Sequence, residues 1–189
     1  MRSPAKRANL LAAALCSALL VAGCSNDSSE PAAEASTSTV DQTIAATLND
    51  APNMNTLSDI VSNARLGSVF DGPGSYTLLA PSDQAFEALG QEVSQLDDEG
   101  QRPVLVALLR EHVLPGQLTP DNIADAIATH GGSVTMTTFG GSDVTFSDND
   151  GTITVDNGQG TTGTLTGKAV IAQNGSIIAL DKVLLPDGS

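Results

Sequence analysis

Aromatic side chains and positive charges are both scarce in this chain of 189 residues. It contains no Trp, one Tyr and four Phe, so a platform of stacked rings for sugars or nucleic-acid bases is not expected. Eight Lys and Arg stand against 22 Asp and Glu, a formal net charge of −14. Such an acidic surface repels phosphate backbones, which argues against nucleic acid as a partner. The acidity serves solubility, and it also tolerates cationic ligands or divalent ions.

The sequence also lacks the motifs on which most enzyme chemistry depends. It has no phosphate-cradling glycine loop, no nucleophile elbow and no metal-binding cluster. Its two histidines, His112 and His130, do not make a zinc site. No catalytic, metal or cofactor site is therefore predicted, and the chain is expected not to be an enzyme.

The apolar run near the N-terminus is too short to cross a bilayer. It covers residues 10–21, follows a basic start and has the length of a signal-peptide core. Residues 21–24 read Val-Ala-Gly-Cys and resemble the lipobox of bacterial lipoproteins. This resemblance implies cleavage after residue 23 and acylation of Cys24. The alternative is an ordinary signal peptide with an incidental cysteine.

Cleavage at this position would leave a lipid-bearing tether in front of one domain. Residues 24–39 are rich in Ser, Ala, Thr and Glu without a large apolar side chain, so they are predicted to be flexible. The folded domain is expected over residues 40–189. Cys16 would leave with the signal peptide, so the mature chain would have no disulfide. It would keep five basic against 22 acidic residues, a formal charge of −17.

Helical periodicity dominates the first half of this domain. One helix is predicted from the apolar spacing of Leu57, Ile60, Val61 and Ala64. Thr56 and Asp59 form a capping box that is expected to start it. A short strand over residues 75–79 is predicted to precede a helix that Ser82 caps.

Two further helices are predicted downstream. The first has an apolar face formed by Val104, Leu105, Leu108 and Leu109. The second is expected to begin at Thr119 and Pro120, which suit the cap and first position of a helix.

The second half alternates apolar residues with Ser and Thr. Short antiparallel strands separated by Asp-Gly and Asn-Gly turns are predicted around residues 134–136, 144–146, 153–155 and 168–172. A last strand over residues 177–185 is apolar on both faces and should be central. Helices followed by a strand meander indicate an α+β domain.

Three segments occur in an order and spacing that match a known family. The first holds Thr77, Ala80, Pro81 and Phe86, the second His112, Pro115 and Gly116, and the third Asn174, Gly175, Asp181 and Pro186. They resemble the first motif, the central Tyr-His motif and the second motif of the fasciclin (FAS1) domain family. The resemblance covers about residues 40–186 and implies a wedge-shaped β-sandwich with helices packed along one edge. The matched residues are expected to be structural.

The chain departs from the family pattern at three positions. Leu79 replaces an aromatic residue, Glu111 replaces Tyr, and Ile178 replaces a frequent His. In animal members, integrin contact is linked to residues around the Tyr-His motif. With Glu111 at that motif, integrin binding is not expected here.

Several other residues admit a functional and a structural interpretation. His112 shares the apolar face of its helix, so it is expected to bond a backbone group and fix the following Pro-Gly turn. Residues 148–151 superficially resemble a calcium loop but lack its key carboxylates, and a hairpin turn is predicted. The acidic residues 97–99 are expected to be a solvated loop, with weak cation binding as the alternative. Asn174 begins a glycosylation sequon but is predicted to form a turn.

The family resemblance implies an adhesion or protein-binding module anchored to the outside of a membrane. The expected partner is a protein or matrix component, and the domain is expected to be monomeric. Ser25 favours the outer membrane in a Gram-negative host. The alternative function is an envelope sensor that binds a small molecule or metal.

Overall fold

The structure is a computed structural model that describes residues 41–90 and 101–185. Within these ranges it has six helices and seven strands. The helices are α1 (Ile44–Asp50), α2 (Asn55–Asn63), α3 (Gly67–Phe70), α4 (Asp83–Glu87), α5 (Arg102–Glu111) and α6 (Pro120–Thr129). The strands are β1 (Tyr76–Pro81), β2 (Val113–Pro115), β3 (Ser133–Thr137), β4 (Asp143–Asn149), β5 (Thr152–Asp156), β6 (Thr162–Ala172) and β7 (Gly175–Leu180). None of the described helices is long and apolar enough to span a bilayer.

The strands form a sheet in the order β2-β1-β7-β6-β5-β4-β3. Strand β7 lies parallel to β1 and antiparallel to β6, so it is central, as its two apolar faces predict. The register of β6 against β7 shifts between Thr166 and Val170. This irregularity lies within the pairing with β7, shortly after β6 ends its pairing with β5 at Thr164. The predicted α+β class is confirmed.

Each face of the central strands contributes to a separate apolar core. Leu78 of β1 and Ile177 of β7 pack in the first core with the apolar faces of α1, α2, α4 and α5. Their neighbours Leu79 and Ile178 pack in the second core with α6 and the apolar residues of β4 and β5. Alternation along a strand sends successive side chains to opposite faces, which explains why β1 and β7 each carry consecutive apolar residues, over 78–81 and 177–180.

The predicted helices are present, with two corrections. Val104 points outward with 46% of its surface exposed, so the buried face of α5 consists of Leu105, Leu108 and Leu109. The capping box predicted for α2 is absent. The helix begins at Asn55, and the side chain of its N-cap residue, Met54, makes no capping hydrogen bond. By contrast, Ser82 and Thr119 cap α4 and α6 as predicted.

Asp83, in the first turn of α4, satisfies the start of α2. Its Oδ1 accepts a 2.8 Å hydrogen bond from the Thr56 backbone N–H, and its Oδ2 accepts one of 2.9 Å from the Asn55 side chain. Desolvation raises the pKa of this carboxyl, but the bonds from Thr56 and Asn55 outweigh it and lower the pKa below its usual value. Because this capping carboxylate comes from a residue 27 positions later in the chain than Thr56, no local sequence pattern predicts it.

Replacing Asp83 with Ala is expected to lower the free energy of unfolding by about 1–2 kcal/mol, because both bonds at the start of α2 are lost. Urea unfolding at neutral pH measures this change. Asp59→Ala is the matched control, because Asp59 is the exposed carboxylate of the predicted capping box and makes no such bond. An equal loss in both variants would contradict the assignment of the cap to Asp83.

Candidate functional site: an apolar groove beside Arg110

His112 lies directly after α5, with only 2% of its surface exposed. Its Nδ1–H donates to the Leu108 carbonyl at 2.8 Å, and its Nε2 accepts from the Leu184 backbone N–H at 2.9 Å. Burial lowers the pKa of His112 to about 4, although the Leu108 carbonyl raises it in part. The ring is therefore neutral and enclosed. It bonds to the segment after β7, whereas the sequence had predicted that it fixes the Pro115-Gly116 turn.

That turn is held instead by Thr77 and Ser176, which are both fully buried. The Thr77 hydroxyl donates to the Gly116 carbonyl at 2.7 Å and accepts from the Leu118 N–H at 2.8 Å. The Ser176 hydroxyl donates to the Leu118 carbonyl at 2.6 Å. These motif hydroxyls are occupied by internal bonds and are not available to a substrate.

Asn174 links two segments of the first half of the domain, the start of α1 and the end of α3. Its Oδ1 accepts from the Ile44 N–H at 2.9 Å, and its Nδ2 donates to the carbonyls of Phe70 and Gly72. The side chain is buried, so its amide nitrogen is not free for a glycan. Gly175 follows at the point where β7 begins to pair with β1.

The remaining motif residues also lie in the framework. Ala80, Pro81 and Phe86 are buried, and the first two pair with β7. Pro115 is the exposed end of β2. Asp181 accepts a bond from the Thr164 N–H, which extends the pairing of β6 with β7. Pro186 and Cys24 lie outside the described residues.

The acidic segment around Asp150 forms the turn between β4 and β5. Asp150 and Gly151 both have positive φ, and the Asp148 carboxylate accepts a bond from the Gly151 N–H. In residues 41–90 and 101–185, no group of three or more His, Cys, Asp or Glu is arranged to hold a metal. The acidic residues 97–99 lie outside the described residues.

Glu111, the residue at the family's Tyr position, helps to hold the tip of the β3–β4 hairpin against α5. Its carboxylate accepts a 3.0 Å bond from the Thr138 hydroxyl. A Cβ on Gly140 would collide with that carboxylate, so a larger residue at this position would displace the Glu111 side chain. The Gly140 N–H also donates to the Arg110 carbonyl, and the Phe139 N–H donates to the Val113 carbonyl.

An apolar groove lies between this hairpin tip and the helices. Its volume is about 250 Å³, and it is lined by Leu66, Val69, Phe70, Tyr76, Val106, Leu109, Arg110, Val113 and Phe139. Two of these side chains, Val69 and Phe139, are 52% and 42% exposed. The rings of Tyr76 and Phe139 meet edge to face, with centroids 5.6 Å apart. No sequence pattern predicts this site, because Phe139 reaches it only when the hairpin folds back onto α5.

Arg110 is the charged residue in the groove lining. Its Nε–H donates to the Phe139 carbonyl at 3.1 Å. No carboxylate forms an ion pair with its guanidinium among the residues that the structure describes. The groove therefore combines an apolar cavity with a cation in a chain of formal charge −14.

Comparison with known proteins places the chain among fasciclin domains. The family model for the fasciclin domain matches residues 52–186. The chain is 30% identical over 152 residues to the transforming growth factor-beta-induced protein ig-h3 of Sus scrofa, covering 80% of this chain and 20% of that protein. It is 32% identical over 133 residues to protein sll1483 of Synechocystis sp., covering 69% of this chain and 66% of that protein. It thus spans a fifth of the first relative and about two thirds of the second.

The fold is similar to that of a solved structure. A fasciclin domain pair from the insect cell adhesion molecule fasciclin I aligns with a TM-score of 0.68 at 15% identity, covering 78% of this chain and 52% of that chain. At this identity the similarity shows the fold alone. It agrees with the mixed α+β sheet architecture described above.

Proposed function

Because the chain belongs to the fasciclin domain family, a family of modules linked to adhesion, we propose that it is an extracytoplasmic, membrane-anchored binding module. Its partner is a protein or a matrix component, and its contact surface is the groove beside Arg110. The solved neighbour's description as a cell adhesion molecule supports this proposal.

The exposed composition of the groove carries the proposal. Protein interfaces concentrate their binding energy in Tyr, Trp, Phe and Arg placed around an apolar centre. Tyr76, Phe139 and Arg110 provide that combination, and Val69 extends the apolar rim. Of the four large apolar side chains that are exposed in the described ranges, Val69 and Phe139 both line the groove, which makes it the surface best suited to a partner.

Catalysis is not part of the proposal. The fasciclin family is generally non-catalytic. The buried polar residues of the motifs (His112, Thr77, Asn174 and Ser176) form hydrogen bonds within the protein. A general base must reach the proton that it abstracts, and the enclosed ring of His112 does not meet this requirement.

A small-molecule or metal sensor, the alternative function, has less support. The groove, at about 250 Å³, is smaller than typical ligand cavities of roughly 300–1,000 Å³, which bury most of their ligand. No metal-ligand cluster exists within the described ranges. An open site of this size suits one anchoring side chain of a larger partner.

The membrane anchor belongs to the same proposal and rests on the sequence around Cys24. A basic start, an apolar core and small residues precede this cysteine in the order found in lipoproteins. Two acyl chains would hold the domain stably at a membrane. Intact-mass measurement of protein extracted from membranes is expected to give a chain that begins at Cys24 and carries lipid. An unacylated chain in the medium would contradict the anchor.

Replacing both Val69 and Phe139 with Ser is expected to reduce retention of the purified protein on cells or envelope extracts about ten-fold or more, because the apolar rim supplies the contact. Retention is measured with labelled protein against a non-binding control protein. The matched variant carries Ser at Val104 and Val170, which are 46% and 36% exposed and lie outside the groove. Equal retention of the two double variants would exclude the groove as the contact surface.

A further inference from the structure

We infer that the partner inserts one apolar side chain into the groove and places a neighbouring carboxylate on Arg110. The inference rests on the proposed function and specifies the chemistry that the partner must present at this site. Its occupant is an apolar and acidic peptide segment of a protein partner. Three properties of the groove support this assignment: its size, the fixed position of Arg110 and the charge around it.

The size of the groove suits a single anchor residue. Its volume is about 250 Å³, whereas an apolar cavity of roughly 150 Å³ already accommodates benzene. A leucine or aromatic side chain therefore fits. Leu109, Phe70 and Val113 form part of the wall and are also buried in the first core, so the cavity exists before the partner arrives. A preformed cavity lowers the entropy lost on binding.

Hydrogen bonding fixes the position of the guanidinium at this cavity. Its Nε–H donates to the carbonyl of Phe139, whose own N–H donates to Val113 and whose ring packs on Tyr76. The two terminal amino groups of Arg110 form no hydrogen bond with residues 41–90 and 101–185. A guanidinium held in one orientation binds a carboxylate through two parallel bonds with little further loss of freedom.

The charge around Arg110 favours an anion over a cation at this position. Arg110 is the charged residue of the groove lining, and the acidic residues nearest to the lining in sequence, Asp71 and Glu111, accept bonds from Thr43 and Thr138 and not from Arg110. The net negative charge of the chain repels acidic partners at long range, but salt at physiological strength screens this field over about 8 Å. At contact distance the positive charge of Arg110 favours an anionic group of the partner over a cationic one. An exposed ion pair between this carboxylate and Arg110 contributes too little binding free energy on its own, so the apolar anchor is required as well.

Selection from a random heptapeptide library displayed on phage tests the inference. The target is the full chain as the producing cell processes it. Peptides that carry Leu, Phe, Tyr or Trp within two residues of Asp or Glu are expected to be recovered roughly three-fold or more as often as peptides that carry the same apolar residues beside Lys or Arg. Arg110→Glu is expected to reverse this bias, and Arg110→Gln to abolish it. Arg102→Glu, an exposed change on the same helix outside the groove, should retain the acidic bias.

Three results would overturn the inference. The first is selection of apolar peptides without an acidic bias, or no selection at all. The second is an equal change of bias in the Arg110→Glu and Arg102→Glu variants, provided that both melt at the wild-type temperature. The third is tighter binding of free 3-phenylpropionate than of the best peptide, which would indicate a small-molecule site. If either of the first two results is found, the inference fails. The proposed function would still be supported if the Val69 and Phe139 double variant loses retention.

Discussion

Gly175→Ala is expected to lower the free energy of unfolding by about 4 kcal/mol or more, the sum of overpacking and backbone strain. Gly175 has a φ of 158° and pairs with Tyr76 in the parallel ladder between β7 and β1. A methyl group on it would overlap the Tyr76 carbonyl oxygen and approach the Ile44 side chain to 2.6 Å. Both obstacles belong to the core, so neither can move away without disturbing the pairing or the packing of α1.

Thermal unfolding followed by circular dichroism measures this effect. For a domain of this size the expected loss corresponds to a fall in Tm of roughly 8–16 °C. Gly67→Ala is the matched control, since a Cβ at this first residue of α3 meets nothing within 4 Å and its φ is not positive. The control should be neutral or slightly stabilising. A Gly175→Ala protein that melts at the wild-type temperature would show that β1 and β7 do not approach as closely as described.

The example of Gly175 shows where sequence reasoning succeeds and where it stops. A turn is predicted at Asn174 and Gly175, but the residues that connect β6 with β7 are Gln173 and Asn174, and Gly175 is the first residue of β7. The requirement for glycine, however, comes from Tyr76, which is 99 positions earlier in the chain. Periodicity reports which face of an element is buried, and it therefore predicts α2 and α5, while apolar residues on both faces predict the central position of β7. It carries no information about which distant backbone approaches a given residue.

The candidate site depends on the same kind of distant contact. Arg110 and Phe139 are separated by 29 residues and meet only because the β3–β4 hairpin returns to the end of α5. Val69 lies on the short helix α3, whose four residues give no measurable period. The predicted motif residues occupy the framework, whereas the groove consists mainly of residues outside the motifs. Sequence motifs in this chain thus predict the fold much better than they predict the groove.

The stability of the domain is expected to fall by about 3 kcal/mol between pH 6.5 and pH 4 through His112 alone. Burial lowers the pKa of His112 from 6.5 to about 4 in the folded protein, while the unfolded chain keeps the ordinary value. Between these two values the unfolded state binds a proton that the folded state does not, so acid favours unfolding. The contribution is complete above pH 6.5 and is lost as the pH falls to the folded pKa.

His112→Gln separates this contribution from the titration of the many carboxylates. At pH 7 the variant is expected to lose about 2–3 kcal/mol, because Gln lacks the Nδ1–H that donates to the Leu108 carbonyl and its flexible side chain does not fill the space of the buried ring. Between pH 6.5 and pH 4 its urea-derived stability should decline less steeply than that of the wild type, so the two curves converge.

His130→Gln, at an exposed position after α6, should change stability by less than about 1 kcal/mol at pH 7. Parallel curves for the wild type and the His112→Gln variant would mean that the ring takes up its proton freely in the folded protein. That result would refute the tautomer assigned here, in which Nε2 must stay unprotonated to accept the bond from Leu184.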